Sequence, residues 1–191
     1  MKWMACVAMV CVVMVVGCKA PDQGPEPVGK TGCTPAPFTK GTVVYRLLPC
    51  QIEKDHLKDG VVVTEGLPDG IDHGVAAAAY QNRWYAKRIF YVPGAQLFKC
   101  GTKTRLSFRV KVEGTDRYLM QFLSVAKDDN IKKSMRVKKQ GEWEEVDFPL
   151  MADMGFDVGD GAAELAWHLG RPGDDSVKLT VCQVVVYEPK E

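Results

Sequence analysis

Side chains that stack and form hydrogen bonds alternate with large apolar residues in several segments of the chain. Arg105 and Arg109 alternate with apolar residues between Lys103 and Glu113, as Glu164 and His168 do further along. Guanidinium, carboxylate and imidazole groups exchange hydrogen bonds with hydroxyls, and aromatic rings pack against C–H bonds. Together on one concave sheet, such side chains would form a groove that suits noncovalent binding of an acidic or neutral glycan. The candidate binding residues are Tyr85, Lys87, Arg105, Arg109, Gln121, Glu164 and His168.

These residues form one site only if their strands belong to one concave sheet. Tyr91 shares the polar side of its segment with Tyr85 and Lys87 when that segment is extended. The same side chains also fit a solvated sheet face that binds no ligand. Trp143 follows a turn and opens a strand, where it fits either the core or the rim.

Motifs for catalysis are missing from the sequence. There is no Gly-x-Ser-x-Gly elbow, no HExxH and no glycine-rich phosphate loop. The three histidines His56, His73 and His168 are scattered, and the adjacent carboxylates at 144–145 and 174–175 suit a charged surface. We therefore expect a protein that is not an enzyme, although the sequence does not exclude two carboxylates meeting across a cleft.

Short β-branched segments separated by turn residues dominate the chain after residue 40. Lys103 to Glu113 alternates strictly between apolar and polar residues, which indicates a strand with one buried face. We find no convincing amphipathic helix, and 75–79 could form one turn at most. About nine strands at this spacing predict an all-β antiparallel sandwich or jelly roll. The predicted strands are 42–48, 61–64, 83–92, 103–113, 117–125, 134–138, 142–148, 162–169 and 177–187.

The N-terminus has the features of a secretion signal. Lys2 precedes an apolar run from Trp3 to Val16, which is too short for a membrane span of ~20 residues. The run ends in Val15-Val16-Gly17-Cys18, which resembles the lipobox of bacterial lipoproteins. The resemblance implies cleavage before Cys18 and a diacylglycerol on its sulfur, which would anchor the chain to a membrane. An ordinary cysteine beside an ordinary secretion signal is the alternative.

The residue after the lipobox cysteine indicates which membrane of the cell envelope would hold the lipoprotein. In the enterobacterial sorting rule an Asp at this place retains a lipoprotein in the inner membrane, and here it is Lys19. The resemblance therefore implies a lipid-anchored protein of the cell envelope, more readily in the outer than in the inner membrane.

The chain divides into a signal peptide at 1–17, a tether at 18–40 and a β-domain at 41–191. The tether is rich in Pro and Gly without apolar periodicity, which predicts a disordered spacer unless Cys33 is bridged to the domain. Without residues 1–17, 24 Lys and Arg balance 24 Asp and Glu. A balanced exported chain is not expected to bind nucleic acid.

Four cysteines follow the lipobox, namely Cys33, Cys50, Cys100 and Cys182. In an oxidising compartment they predict two disulfides, and the sequence leaves three pairings open. Cys50 ends the first predicted strand and Cys182 lies in the last, and these strands are often neighbours in sandwich folds. This favours a Cys50–Cys182 disulfide, which would leave Cys33 to pair with Cys100. No CxxC spacing indicates a zinc or redox site.

We expect no metal or other cofactor. Aspartates in turns could supply oxygen ligands to a structural calcium, but a plain turn role suits them better. These aspartates are Asp69, Asp72, Asp157 and Asp160.

Three segments resemble the galactose-binding-domain-like jelly rolls, which include many carbohydrate-binding modules. They are Ile89 to Val112, then Gly141-Glu142-Trp143 with Val146 and Phe148, and Ala163 to Tyr187. The sequence departs from that family in its last strand, where Cys182-Gln183-Val184 replaces an Asp-containing stretch. The resemblance thus implies a jelly roll and puts a structural calcium in doubt.

Three functions fit these observations. The first is a membrane-anchored lipoprotein whose sandwich binds carbohydrate without catalysis. The second is a structural or protein-interaction lipoprotein that binds another envelope protein and has no sugar site. The third is a small glycan-active enzyme.

Overall fold

Across the residues that the structure describes, the fold consists of ten strands and very little helix. The computed structural model describes residues 32–78, 87–94, 96–169 and 177–190. Its helical parts are two single 3₁₀ turns, Pro49–Gln51 and Lys54–His56, and one short helix, α1, Leu150–Met154. The strands are β1 Gly41–Leu47, β2 Val61–Val63, β3 Gly74–Ala78, β4 Lys87–Pro93, β5 Arg105–Glu113, β6 Arg117–Ser124, β7 Asp129–Arg136, β8 Trp143–Pro149, β9 Ala162–Leu169 and β10 Lys178–Pro189.

The strands form two sheets in which every described pairing is antiparallel. The six-stranded sheet has the order β2-β3-β10-β5-β8, and β1 pairs with β10 on the side of β3. The two short strands share one edge of β10, because β3 pairs with residues 178–182 and β1 with residues 184–189. The four-stranded sheet has the order β4-β9-β6-β7. This architecture confirms the predicted antiparallel β-sandwich of jelly-roll type.

The core lies between the sheets because alternate residues of each strand point inward. In β5 the inward residues are Leu106, Phe108, Val110 and Val112, all at most 2% exposed. Trp167 of β9 is fully buried, stacks on Phe90 at 5.2 Å and meets Phe108 edge-on at 5.3 Å. Its interior position agrees with the alternation of the β9 segment.

Strand β3 is the element that the sequence pattern described least well. The run of alanines after Val75 resembles a helical turn, yet the segment is extended. Its backbone pairs with β10 on one side and with β2 on the other. Pairing on both sides satisfies the backbone groups of β3, and tertiary context thus overrides the helix propensity of alanine.

Residues 32–40 pack on the outer face of the six-stranded sheet. The amide of Thr34 donates to Asp72 at 2.7 Å, and the ring of Phe38 meets that of Tyr187 edge-on at 4.8 Å. Lys40 forms ion pairs with Asp147, at 2.8 Å, and with Glu145. The later part of the Pro- and Gly-rich segment thus contacts the sandwich.

The cysteines pair differently from the expected arrangement. Cys33 is bonded to Cys50, while Cys100 and Cys182 are buried free thiols. Strands β1 and β10 are neighbours as expected, but Cys50 lies in a 3₁₀ turn beyond β1, next to the N-terminal segment. The preferred Cys50–Cys182 pairing and the expectation of two disulfides were therefore wrong. Within the described ranges no helix is long and apolar enough to cross a membrane.

Candidate functional site

The outer face of the six-stranded sheet is covered by two segments of the chain. Cys182, Val185 and Tyr187 point away from the core, yet each is at most 3% exposed. Residues 32–40 contact this face through Phe38 and Lys40, and the loop between β2 and β3 contacts it at Trp143. The contact between this loop and the sheet is a hydrogen bond, which the indole Nε1 of Trp143 donates to the carbonyl of Gly66 at 3.2 Å. Trp143 is therefore a half-buried residue on the outer face and not a core residue.

Arg105 takes part in a polar cluster on this covered face. Its Nε donates to Asp147 at 2.8 Å, and Asp147 also accepts from the hydroxyl of Tyr187 at 2.7 Å and from Lys40. Burial alone would raise the pKa of Asp147, but the hydrogen bonds from Lys40, Tyr187 and Arg105 together lower it. Arg109, four residues along β5, is paired in register with Cys182 and Glu145. This cluster ties the N-terminal segment to the sheet.

The remaining described candidates lie on the other sheet. Gln121 of β6 and Glu164 and His168 of β9 all point outward from the four-stranded sheet. The structure therefore brings these three together and separates them from Arg105 and Arg109, which lie across the sandwich. Tyr85 and the side chain of Lys87 lie outside the described residues.

One cross-strand row runs over the whole outer face of the four-stranded sheet. Tyr91 pairs with Ala166, Ala166 with Gln121, and Gln121 with Lys132. Three strand spacings of about 4.8 Å separate the ends of the row, a span of about 14 Å. Ala166 in the middle of the row is fully buried and Gln121 is nearly so, and the accessible members are therefore the two ends, half-buried Tyr91 and exposed Lys132.

Two polar side chains of this outer face are themselves buried. Gln121 is 5% exposed and donates through Nε2 to Oδ1 of Asn130 at 2.6 Å, while His168 is 7% exposed. The exposed members of the face are Asn130, Lys132 and, further along β7, Ser134 and Arg136. A buried amide that holds an exposed one fixes the direction in which the exposed side chain presents its hydrogen-bonding groups.

The loop that follows β1 forms one side of the face. The imidazole of His56 meets the ring of Tyr91 edge-on at 4.7 Å, and Lys58 Nζ lies 4.9 Å from the centre of the same ring. Both residues come from a segment that shows no strand or helix periodicity. No signal in the sequence places His56 and Lys58 beside Tyr91.

Three of the four aspartates considered as calcium ligands, Asp72, Asp157 and Asp160, have hydrogen-bond or ion-pair partners. Asp160 is 5% exposed and accepts hydrogen bonds from Ser124 Oγ, Ala126 N and Gly161 N, which lower its pKa although burial acts to raise it. Asp157 forms an ion pair with Lys127 at 3.3 Å. In the part of the chain that the structure describes, no three metal-binding side chains lie close enough to hold an ion.

A small cleft of about 30 Å³ lies beside the Cys33–Cys50 disulfide. Arg46, Asp72, His73 and Gln183 line it together with residues 33–36. Arg46 already donates to the carbonyl of Ala36 at 3.0 Å, and Asp72 already accepts from the Thr34 amide. These polar groups serve the packing of the N-terminal segment.

Comparison with known proteins identifies the fold. No protein-family model matches the chain, and a search of curated proteins finds no match. The chain is similar to a family 30 carbohydrate-binding module, with 14% identity, a TM-score of 0.50 and coverage of 81% of this chain and 87% of that one. At this identity the likeness establishes the fold alone.

Two further solved structures are similar at lower TM-scores. One is the family 11 carbohydrate-binding module from Clostridium thermocellum in complex with a β-1,3-1,4-mixed-linked tetrasaccharide, with 10% identity, a TM-score of 0.49 and coverage of 78% and 98% of the two chains. The other contains the CBM22-1 and GH10 modules of a Clostridium thermocellum endo-1,4-β-D-xylanase with xylohexaose, at 18% identity and a TM-score of 0.44. It is matched over 69% of this chain, which spans 25% of the xylanase chain. The protein thus has the jelly-roll β-sandwich fold that the family 30 module also has.

Proposed function

We propose that the protein binds carbohydrate without catalysis, on the outer face of its four-stranded sheet. The observation that carries this proposal is the row from Tyr91 through Ala166 and Gln121 to Lys132. A sugar ring needs an aromatic surface for its C–H bonds and planar polar groups for its hydroxyls. Tyr91 at one end of the row offers the aromatic surface, and the exposed Asn130, held by Gln121, and Lys132 offer polar groups at the other end, about 14 Å away.

The position of the row on strands supports the proposal. Side chains on a paired sheet are held more rigidly than those on loops, which lowers the entropy cost of binding. The other outer face is covered by the N-terminal segment and by the loop that contacts Trp143. The similar family 30 structure, which shares the fold, is by its name a carbohydrate-binding module.

The distribution of carboxylates supports binding over hydrolysis. Glycoside hydrolysis normally uses two carboxyl groups that face each other across the bond to be cleaved. Among the described residues that point outward from β4, β9, β6 and β7, Glu164 is the sole carboxylate. We therefore propose that the protein is not an enzyme.

The proposed location rests on the N-terminal sequence. The apolar run followed by Val15-Val16-Gly17-Cys18 matches the pattern of a lipoprotein signal. We propose that Cys18 carries a lipid that anchors the protein in the cell envelope, with Lys19 favouring the outer membrane. The membrane is then a partner through the lipid, and the sandwich remains available to a polysaccharide.

Native affinity electrophoresis of the full chain, in mild detergent with polysaccharides in the gel, tests the proposed site. We expect Tyr91→Ala to abolish the retardation, because it removes the aromatic end of the row. Trp143→Ala is the matched control, since it removes a partly exposed aromatic residue from the opposite face. Circular dichroism checks that both variants are folded.

The opposite pattern would place the site elsewhere. Retardation that depends on Trp143 and not on Tyr91 would contradict the assignment to the four-stranded sheet. A folded chain that is retarded by none of a broad set of polysaccharides would overturn carbohydrate binding. A structural or protein-interaction role would then be the better explanation.

A further inference from the structure

Exposed cations are concentrated on the β6–β7 side of the proposed site. Lys132 and Arg136 of β7 and Arg117 of β6 all point outward, and all are exposed. Across this part of the face, Arg117 is paired with Asp116 at 3.8 Å. Within the described ranges neither Lys132 nor Arg136 has an ion pair with a carboxylate.

Other lysines of this region have carboxylate partners. Lys133 is a neighbour of Lys132 on β7 but points to the other side, where it pairs with Asp153 at 3.0 Å and lies 4.8 Å from the centre of the Phe148 ring. Lys127 pairs with Asp157. In the described part of the chain, carboxylates therefore balance Lys127 and Lys133, while Lys132 and Arg136 on the binding face have no carboxylate partner.

The register between β6 and β7 gives a second reason to expect an anion on this face. Arg117 and Arg136 lie directly opposite each other on paired strands. Like charges at directly opposed positions destabilise an antiparallel pair. An anion bound between them would relieve this repulsion, and a guanidinium matches the geometry of a carboxylate or sulfate group.

We propose that the glycan recognised by this site is an acidic polysaccharide, one that carries carboxylate or sulfate groups along its chain. This inference rests on the proposed carbohydrate site. Tyr91 would contact a sugar ring, and Lys132 and Arg136 would bind acidic groups further along the same chain. Lys58, which lies over the Tyr91 ring, adds a cation at the other end of the row.

The experiment compares acidic with neutral polysaccharides on the full chain in mild detergent. The probes are polygalacturonate and a sulfated galactan, with xylan and mixed-linked β-glucan as neutral counterparts. We expect tighter binding of an acidic probe, and a roughly tenfold loss of affinity when sodium chloride is raised from about 0.05 M to about 0.5 M, because salt screens exposed charges.

The double variant Lys132→Gln/Arg136→Gln tests the named cations. It should weaken acidic binding roughly fivefold, since two exposed ion pairs together contribute on the order of 1 kcal/mol. Lys138→Gln/Lys139→Gln is the matched control, because it removes the same charge from the turn after β7. We expect this control to bind acidic probes like the unchanged chain.

Three outcomes would overturn the inference, and they differ in what they mean for the site. Binding of neutral probes that requires Tyr91, with no preference for acidic ones, would leave the carbohydrate site in place and refute its acidic ligand. Equal losses in both double variants would show attraction by overall charge alone. A folded chain that binds no probe would refute the site as well.

Discussion

Asp160 is the residue whose hydrogen bonds most directly stabilise the entry to β9. Its buried carboxylate accepts from Ser124 Oγ at 2.7 Å, Ala126 N at 2.9 Å and Gly161 N at 2.7 Å. Asp160→Ala leaves these donors without their acceptor, and a buried unsatisfied donor costs about 1–3 kcal/mol. We expect the free energy of unfolding, measured with urea, to fall by about 3 kcal/mol.

Asp157→Ala serves as the control for this substitution. Asp157 lies in the same turn, but its side chain is 73% exposed and its ion pair is with Lys127. An exposed ion pair contributes about 0–1 kcal/mol. Equal losses for the two variants would show that the turn, and not the buried carboxylate, determines the effect.

Asp147 and Asp160 make the stability of the domain depend on pH. Both pKa values are lowered in the fold, although burial alone would raise them, because hydrogen bonds favour the ionised carboxylates. The unfolded chain, with an Asp pKa of about 3.9, therefore binds protons more readily as the pH falls. We expect the stabilisation to be complete above about pH 5 and to be lost as the pH falls through the lowered values.

Urea unfolding at a series of pH values from neutral to acid measures this dependence. Asp147→Asn keeps the size of the side chain and removes its titration, so its stability should fall less steeply in acid than that of the unchanged chain. Identical slopes for the two proteins would show that Asp147 does not contribute to the acid sensitivity.

At the scale of elements, the Cys33–Cys50 disulfide is the link that holds the N-terminal segment to the sheet. The two cysteines are 17 residues apart. A crosslink across a loop of this length stabilises a fold by about 3 kcal/mol, mainly by restricting the unfolded chain. We expect Cys33→Ser/Cys50→Ser to lower the urea midpoint and to expose the 32–40 segment to trypsin at Lys40.

Reduction of the unchanged protein provides the comparison for the disulfide variant. A reducing agent should reproduce the loss of stability in the unchanged chain and have no further effect on the double variant. Cleavage at Lys40 that is equally slow in all three samples would mean that Phe38 and Lys40 hold the segment without the disulfide.

Strand prediction from the sequence succeeded where one face of a strand is buried. β9 has the predicted bounds, and β5 keeps its alternation throughout. It failed at β3, because alanine-rich residues become a strand only when β2 and β10 pair with them. β7 begins earlier than predicted, at Asp129, because pairing with β6 extends through polar residues that lack an apolar pattern.

The candidate site was predictable only in part, for a related reason. Alternation shows which side of a strand is polar, and it correctly placed Gln121, Glu164 and His168 on outward faces. It does not show which sheet a strand joins, so Arg105 and Arg109 were grouped with residues that lie across the sandwich. Sheet membership depends on long-range pairing, which local patterns do not encode.

At the scale of the whole molecule, the two outer faces have different roles. The face of the six-stranded sheet is covered by the segment that leads from the N-terminus, with Phe38 on Tyr187 and Lys40 on Asp147. The proposed binding face lies on the other sheet, beyond a core layer of about 10 Å. The chain thus enters the domain on the side opposite the proposed site.

If Cys18 carries the proposed lipid, this arrangement predicts that membrane attachment leaves the proposed carbohydrate binding intact. The segment from Cys18 to Gly32 spans at most about 50 Å when extended, and it joins the domain at the covered face. A sandwich attached in this way can present the row that contains Tyr91 and Lys132 to the solution. We expect the full lipidated chain to bind a polysaccharide with an affinity within about twofold of its value in detergent when it is placed in lipid vesicles.

Flotation of vesicles with a labelled polysaccharide measures this binding. Cys18→Ser is the control for attachment, because a chain without the lipid should stay at the bottom of the gradient with its polysaccharide. If the anchored chain floats but no longer carries the polysaccharide that it binds in detergent, the membrane must block the binding face. The N-terminal segment would then bring the four-stranded sheet toward the lipid surface. The inference that the anchor and the binding face lie on opposite sides of the domain would be wrong.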